Sequence, residues 1–177
     1  MAGLQQVEPG AELFRTERLV MRAFHEDDLD ALAALYADEE VRRHFPDFTR
    51  TREETEREMR WAMRGGEAAH PGYTLWAAVL AETGALIGRG GILPLELEGR
   101  FEPELAWLLG KPHWGRGLGR EMAAGLRDFG FAAGLRRLVA LVDFGNDASA
   151  ATARSIGMRH EKDVDVEGWC NLFVIER

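Results

Sequence analysis

Cysteine is nearly absent from this 177-residue chain, and lysine is rare. Cys170 is the one cysteine, so no disulfide can form within the chain and no cysteine-based metal site is available. We expect no bound metal. The sequence also lacks a run of about 18 apolar residues, and its start lacks the charged and apolar regions of a secretory signal. These absences predict a cytoplasmic protein without a membrane segment.

Composition predicts one globular domain with a sizeable core. Hydrophobic residues make up 46% of the chain and charged residues 29%, which is ordinary for a globular protein. The formal net charge of -8 argues against a nucleic-acid partner, which a basic surface would favour. Residues 1–12 are interpreted as a flexible tail, and residues 13–177 as a single domain.

Hydrophobic periodicity, capping signals and turn residues predict an α/β sheet protein. Thr51 and Glu54 match a capping box at the start of one helix. The strands are expected at 17–24, 73–81, 85–93, 102–109, 136–142, 158–163 and 169–175. The helices are expected near 25–36, 39–44, 51–64, from 118 through 129, and 146–155. Strands alternate with helices mainly in the second half, which predicts one mixed sheet.

The most informative stretch, residues 113–121, reads His-Trp-Gly-Arg-Gly-Leu-Gly-Arg-Glu. Gly115, Gly117 and Gly119 allow a ligand to approach the backbone closely, because no Cβ stands in the way. The helix that follows offers free N–H groups and a partial positive charge at its N-terminus. Together these features predict a site for a phosphate or pyrophosphate.

Three known kinds of glycine-rich turn can be compared with this segment. A P-loop requires Gly-Lys followed by Ser or Thr, whereas Lys111 is followed by Pro112. A dinucleotide fingerprint requires a third glycine where Met122 stands, although Asp143 at the end of the next strand leaves a faint match. An ordinary helix-start turn is the third interpretation.

The turn resembles the acetyl-CoA motif [Q/R]-x-x-G-x-[G/A] of the GNAT acyltransferase superfamily. Trp114 replaces the first Gln or Arg of that motif. An aromatic residue before Gly-basic-Gly is usual in the RimJ/RimL-like branch, the ribosomal-protein-alanine N-acetyltransferases. Residues 16–22, Thr-Glu-Arg-Leu-Val-Met-Arg, resemble the opening of that branch. The segments 146–149 and 156–158 resemble its N-x-x-S and x-G-[FM] stretches, so the resemblance runs from about residue 16 to 176.

The resemblance implies a largely antiparallel seven-stranded sheet with a central splay, flanked by helices. It also implies that acetyl-CoA is the cosubstrate and that a homodimer is one candidate assembly. Pantetheine would pair like an extra strand near Leu108 and Leu109. The cofactor-binding residues would be Leu108, Leu109, Trp114, Gly115, Arg116, Gly117, Leu118, Gly119, Arg120, Asn146 and Ser149. For Arg116, a solvated surface position is the competing interpretation.

The helix after the fifth predicted strand carries the candidates for leaving-group chemistry. Asn146 is interpreted either as an N-cap or as a pantetheine contact, and one residue can do both. Many members of the family place a Tyr acid at the position of Ala153, so that acid is missing here. The resemblance leaves Ser149 or a water as the donor to the CoA sulfur, or an unassisted thiolate.

Transfer to an amine requires a base, because a protonated ammonium is not a nucleophile. Glu104 is the first candidate, since apolar neighbours in its strand would raise its pKa. A structural carboxylate at the sheet edge is the competing interpretation. His113 is a second candidate and Glu102 a third. A covalent role for Cys170 is not favoured, because the sequence places no base near it.

The acceptor is left open as a protein N-terminus or a small amine. Phe45, Phe48, Trp61, Tyr73 and Trp76 are interpreted first as core residues and second as lining of an acceptor cleft. Glu53, Glu54 and Glu56 are either an exposed helix face or a surface for a cationic acceptor. The sequence therefore predicts an N-acetyltransferase acting by direct attack in a ternary complex. A non-catalytic acyl-CoA-binding module is the alternative.

Overall fold

One eight-stranded sheet organises the chain in the computed structural model, which describes residues 4–45, 49–166 and 168–177. The strands are β1 (Glu12–Arg15), β2 (Leu19–Arg22), β3 (Thr74–Leu80), β4 (Leu86–Leu97), β5 (Arg100–Leu109), β6 (Arg137–Asp143), β7 (Arg159–Asp165) and β8 (Trp169–Glu176). The helices are α1 (Leu29–Tyr36), α2 (Glu39–Arg42), α3 (Arg52–Met63), α4 (Leu118–Ala132) and α5 (Asp147–Ser155).

The sheet is antiparallel except at its centre. Its strand order is β1-β2-β3-β4-β5-β6-β8-β7, and β5 with β6 is the parallel pair. The mixed, mainly antiparallel sheet is confirmed, but the predicted number of seven strands is wrong. The additional strand is β1, a four-residue edge strand paired with β2. Both of its ends are exposed, so it carries little hydrophobic alternation from which it could be predicted.

The two faces of the sheet are covered by different helices. Along β3, Leu75, Ala77 and Val79 pack with α1–α3, whereas Trp76 and Ala78 pack with α4 and α5. Alternate side chains of a strand point to opposite faces, so β3 is buried on both sides, as its apolar sequence predicts. A third cluster of buried residues, centred on β6 and β8, includes no helix residue.

Helix starts follow the local signals closely. Thr51 and Glu54 form the predicted reciprocal capping box at the start of α3. Residues 4–11, within the predicted tail, form neither helix nor strand, yet Leu4 is buried in the core. Across the three described ranges, no helix is long and apolar enough to cross a membrane.

Candidate functional site

The glycine-rich turn leads from β5 into α4. A single 3-10 turn spans Lys111–His113, and Gly117 is the N-cap of α4 with a φ of 77°. Gly115 also has a positive φ, 70°, which a residue with a Cβ adopts only with strain. A Cβ on Gly115 would meet no atom within 4 Å, so conformation and not crowding favours glycine. The turn is exposed and is therefore accessible to an anion.

Two sets of contacts hold the turn in place. The indole Nε1 of Trp114 donates to the carbonyl of Leu109, at 2.8 Å. Glu121, in the first turn of α4, accepts from the Thr16 hydroxyl at 2.6 Å and from the Arg18 backbone N–H at 2.7 Å. Burial alone would raise the pKa of Glu121, but these bonds outweigh it and lower the pKa. The Thr-Glu-Arg motif near the N-terminus therefore anchors the start of α4.

The predicted phosphate-binding residues lie on one continuous surface. The side chains of Arg116 and Arg120 are exposed, and neither forms an ion pair with the residues that the structure describes. Leu118 is 1% exposed and is buried in the core as a whole residue, so it contributes packing under the turn. Gly119 lies inside α4 next to the Leu109 side chain.

The sheet opens between its two parallel strands. Glu104 of β5 is in register with Val139 of β6, and no further register pair joins these strands within the described ranges. β5 continues to Leu109 in pairing with β4, so its edge toward β6 is open beyond Glu104. An open edge is a template for an extended ligand. This opening is the expected splay, and β5 continues past it through Leu108 and Leu109.

Glu104 stands at the apex of the splay. Ala106 and Leu108, two and four positions further along β5, pack with the α1–α3 cluster, so Glu104 belongs to that face. Burial raises the pKa of the Glu104 carboxyl to about 7, while the Leu141 backbone amide and the Arg89 charge act in the opposite direction. The side chain is half-buried and keeps some contact with solvent. It can therefore exchange a proton near neutral pH.

The other two candidate bases lie in less favourable surroundings. Glu102 is buried and forms an ion pair with Arg137 at 3.0 Å, which occupies its carboxylate. His113 is half-buried, and its Nδ1 has no hydrogen-bond partner in the described parts of the chain. Burial and the nearby Arg116 charge lower the pKa of His113. Of the three candidate bases, Glu104 therefore has the surroundings that best suit a general base.

The start of α5 shows the capping role of Asn146. Its side-chain oxygen accepts from the Ser149 backbone N–H at 3.2 Å. Ser149 itself is half-buried. Ala153 is fully buried in the core, so this position offers neither a hydroxyl nor room at a ligand surface. The missing Tyr acid is therefore not replaced from that position.

A polar network that the sequence analysis missed lies on the α1–α3 face. Arg89 of β4 is 5% exposed, and its Nε donates to the Tyr36 hydroxyl at 2.9 Å. Tyr36 in turn donates to one oxygen of Glu58, and Arg50 donates to the other. Burial raises the pKa of Tyr36 to about 12, so the phenol stays protonated. The Arg89 guanidinium lies over the Phe45 ring, with its Cζ 5.3 Å from the ring centre.

Arg50, Glu58 and Arg89 of this network line a cleft of about 600 Å³. Its lining residues are Arg42, Phe45, Arg50, Glu54, Arg57, Glu58, Trp61, Leu75, Arg89 and Leu93. Leu93 stands opposite Glu104 in the register between β4 and β5, so the cleft adjoins the apex of the splay. A second depression of about 440 Å³ lies at Arg127 and Phe131, outside this arrangement.

The aromatic candidates divide between core and cleft. Phe45 and Trp61 line the cleft and also pack against the α1–α3 cluster. Trp76 is buried in the core, and Tyr73 packs against the same core cluster. Phe48 lies outside the described residues.

Of the three acids predicted to form a surface on α3, Glu54 and Glu56 have partners, and the Cys170 thiol contacts Asp143. Glu54 accepts from the Thr51 backbone, and Glu56 pairs with Arg60 at 2.7 Å. Burial and the neighbouring Asp143 carboxylate raise the pKa of the Cys170 thiol to about 12. A thiol in that state is almost wholly protonated at neutral pH and is a poor nucleophile.

Comparisons with known proteins give a matching family and similar proteins. Residues 18–159 match the family described as "Acetyltransferase (GNAT) domain". The chain is 29% identical over 151 residues to "Uncharacterized protein YkkB" of Bacillus subtilis, covering 84% of this chain and 86% of that protein. It is 28% identical over 156 residues to "Uncharacterized N-acetyltransferase p20" of Bacillus licheniformis, covering 85% and 84%.

A solved structure shows the same fold. It is described as an acetyltransferase of the GNAT family from Bacillus anthracis, and it superposes with a TM-score of 0.79 at 22% identity. The superposition covers 92% of this chain and 96% of that one.

Proposed function

The chain belongs to the GNAT acetyltransferase domain family, and on that premise we propose how its residues divide the reaction. The family uses acetyl-CoA, and the chain is an acetyl-CoA-dependent acyltransferase whose acceptor is an amine. Acetyl-CoA binds at the glycine turn and along the splay, and a primary amine enters from the α1–α3 face. The amine belongs to a protein N-terminus or a small molecule. The observation that supports this proposal most is that Glu104 is paired with Val139 where β5 and β6 part, and is in register with Leu93, which lines the cleft on the α1–α3 face.

The residues present fit acetyl-CoA. The exposed turn from Gly115 to Gly117, with the N-terminus of α4 directly after it, suits a pyrophosphate. Arg116 and Arg120 are accessible for charge-assisted bonds to phosphate. The open edge of β5 at Leu108 and Leu109 suits the amide groups of pantetheine. Asn146 and Ser149, at the start of α5, complete the proposed donor site.

Glu104 is the proposed general base. Acetyl-CoA supplies an activated acetyl thioester, and the neutral amine is the nucleophile that attacks it. An incoming ammonium must first lose a proton, and a carboxylate with a pKa of about 7 can accept it directly or through a water. Transfer is direct, because the protonated Cys170 thiol is unsuited to carry the acetyl group. Backbone N–H groups near Leu109 are the proposed donors to the oxyanion.

Ser149 or a water is proposed to protonate the departing CoA sulfur. Ala153 removes the Tyr acid, and its buried position leaves no substitute there. Ser149 lies four residues earlier on the same helix and is half-buried. A CoA thiolate is a stable leaving group, so weak assistance suffices.

We also assign the chain to the RimJ/RimL-like branch. The motif Trp114-Gly115-Arg116-Gly117 supports this assignment, and so does the Thr16–Arg18 segment that anchors α4. The family match and a relative named as an N-acetyltransferase do not favour a non-catalytic acyl-CoA-binding module.

Isothermal calorimetry with CoA and acetyl-CoA tests the donor site. We expect saturable binding below millimolar ligand, together with thiol release from acetyl-CoA when amines are added. Absence of binding at millimolar CoA would refute the proposal. Turnover that survives Glu104→Gln unchanged would remove Glu104 as base while leaving the donor site intact.

A further inference from the structure

Arg89 is buried yet keeps donors for a ligand. Its Nε donates to the Tyr36 hydroxyl. Its two Nη groups have no hydrogen-bond partner within the described chain, and neither of them is fully buried. The side chain lines the cleft beside Glu104, whose pKa it lowers. A guanidinium offers two parallel N–H donors, the geometry that a carboxylate or another oxyanion accepts.

The acidic groups of the cleft already have partners. Both oxygens of Glu58 accept bonds, one from Tyr36 and one from Arg50. Glu54 accepts from the Thr51 backbone N–H at 2.8 Å as part of the capping box. Among the described lining residues these are the two acids, so Glu58 has both oxygens occupied and Glu54 has one.

Among the described residues that line the cleft, the basic groups outnumber the acidic ones. They comprise four arginines and two glutamates, in a chain whose formal net charge is -8. Arg57 lies on α3 at the cleft wall, is exposed, and forms no hydrogen bond or ion pair with the residues described. A positive, partly enclosed cleft raises the local concentration of anions and repels cations.

We infer that the acceptor is a small amine that also carries a carboxylate, as an amino acid does, and that Arg89 with Arg57 binds that carboxylate while the amine lies at Glu104. This inference rests on the proposed function and narrows its acceptor. The cleft volume suits a small molecule. Polyamines and other polycations are disfavoured, because a second ammonium would lie among the arginines without a free carboxylate to receive it.

The experiment compares acceptors that carry a carboxylate with matched acceptors in which a carboxamide replaces it. Thiol release from acetyl-CoA is measured with α-amino acids and 4-aminobutanoate, each beside its carboxamide. The panel also contains 1,4-diaminobutane and a tetrapeptide with neutral side chains. We expect at least one carboxylate acceptor to exceed its carboxamide by about tenfold or more in kcat/KM. Carboxamides, the diamine or the peptide matching the carboxylates would overturn the inference.

Substitutions separate recognition of the carboxylate from general damage. Arg57→Gln is exposed, so it should fold normally and lower the carboxylate-to-carboxamide ratio several-fold, mainly through KM. Comparing this ratio between variants cancels the different basicities of the two amines. Arg89→Lys keeps the charge but loses the two-pronged donor and should also lower the ratio. Arg60→Gln, on the same helix but outside the cleft, is the control and should leave the ratio unchanged.

The outcomes distinguish this inference from the proposed function. If no amine is acetylated and CoA does not bind, the proposed function fails. If neutral amines are acetylated well and Arg57→Gln leaves the ratio unchanged, the function stands and the carboxylate site is wrong.

Discussion

The two sides of the splay are built in different ways. The donor side is largely one continuous segment, residues 113–121, and the groups proposed to bind the ligand are backbone N–H groups and two exposed arginines. The acceptor side is assembled from side chains on separate elements: Tyr36 on α1, Glu58 on α3, Arg89 on β4 and Glu104 on β5.

This difference relates to what each side must recognise. A pyrophosphate is the same in every acetyl-CoA, so a fixed backbone conformation with a helix N-terminus suffices. An acceptor is recognised by the placement of a few charges, and those charges need the support of neighbours. Arg89 is held by Tyr36, 53 residues away in sequence, and Tyr36 is held by Glu58. We therefore expect substitutions in elements far apart in sequence, such as α1 and α3, to change acceptor recognition.

The largest expected effect is at the point where the two sides meet. Glu104→Gln removes the proposed base and should lower kcat/KM by about 10² to 10³, the range for loss of general-base catalysis. CoA affinity should stay within about twofold, since the donor side is untouched. Steady-state kinetics and calorimetry measure the two quantities. Glu96→Gln, an exposed substitution on β4, is the control.

The same substitution has a pH signature. Wild-type kcat/KM should rise as pH passes about 7, where the Glu104 carboxyl loses its proton, and the variant should lack this rise. Stability should change in the opposite direction. Folding raises the pKa of this carboxyl. The native state therefore loses stability as the pH rises from the carboxyl's pKa in the unfolded chain toward 7. Glu104→Gln should therefore gain stability relative to wild type between pH 5 and pH 8. Identical profiles for the two proteins would contradict the assignment.

On the donor side, two glycines with matched backbones provide a controlled test. Gly115 has a φ of 70° and Gly84, in the β3–β4 turn, a φ of 71°, and a Cβ on either would meet no atom within 4 Å. Each change to Ala should cost about 1–2 kcal/mol of folding stability, because both positions are left-handed. Gly115→Ala alone should weaken CoA binding, by about tenfold, since its Cβ stands where the ligand approaches. Equal loss of CoA affinity in both variants would show that strain and not ligand approach is responsible.

The donor side could be predicted from sequence because its signals are local. Three glycines before an amphipathic helix define both the turn and the helix start, and Thr51 with Glu54 defines α3 in the same way. Glu104 could be selected because the residues that follow it in the strand, Leu105 to Leu109, are all apolar. Its register pairing with Val139, where β5 and β6 meet, is seen in the structure alone.

The acceptor side could not be predicted, because its contacts join residues far apart in sequence. Tyr36 looks like one more apolar residue on the stripe of α1, and Glu58 like one more acid on α3. A signal for Arg89 was nevertheless present: it interrupts the apolar run Ile87-Gly-Arg-Gly-Gly-Ile92 in a strand buried on both sides. A charge in such a strand needs a partner or a ligand.

The acceptor network can be tested with the two tyrosines of the chain. Tyr36→Phe removes the hydroxyl shared by Arg89 and Glu58 and leaves two buried polar groups without it, which should cost about 1–3 kcal/mol of unfolding free energy. Tyr73→Phe removes a hydroxyl with no hydrogen bond in the described chain and should cost less than about 0.5 kcal/mol. Urea denaturation measures both changes. Equal costs would show that the hydroxyl of Tyr36 does not support Arg89.

The smallest expected effect concerns the Trp114 side-chain hydrogen bond that ties the glycine turn to β5. Trp114→Phe keeps most of the aromatic surface but loses the bond from Nε1 to the Leu109 carbonyl, so the turn is held less firmly. A bond of this kind contributes about 1 kcal/mol, which corresponds to a several-fold loss of CoA affinity in calorimetry. Trp169→Phe is the control, because Trp169 is 60% exposed and its indole makes no hydrogen bond within the described ranges. An unchanged CoA affinity in Trp114→Phe would mean that the backbone of the donor side holds its conformation without this anchor.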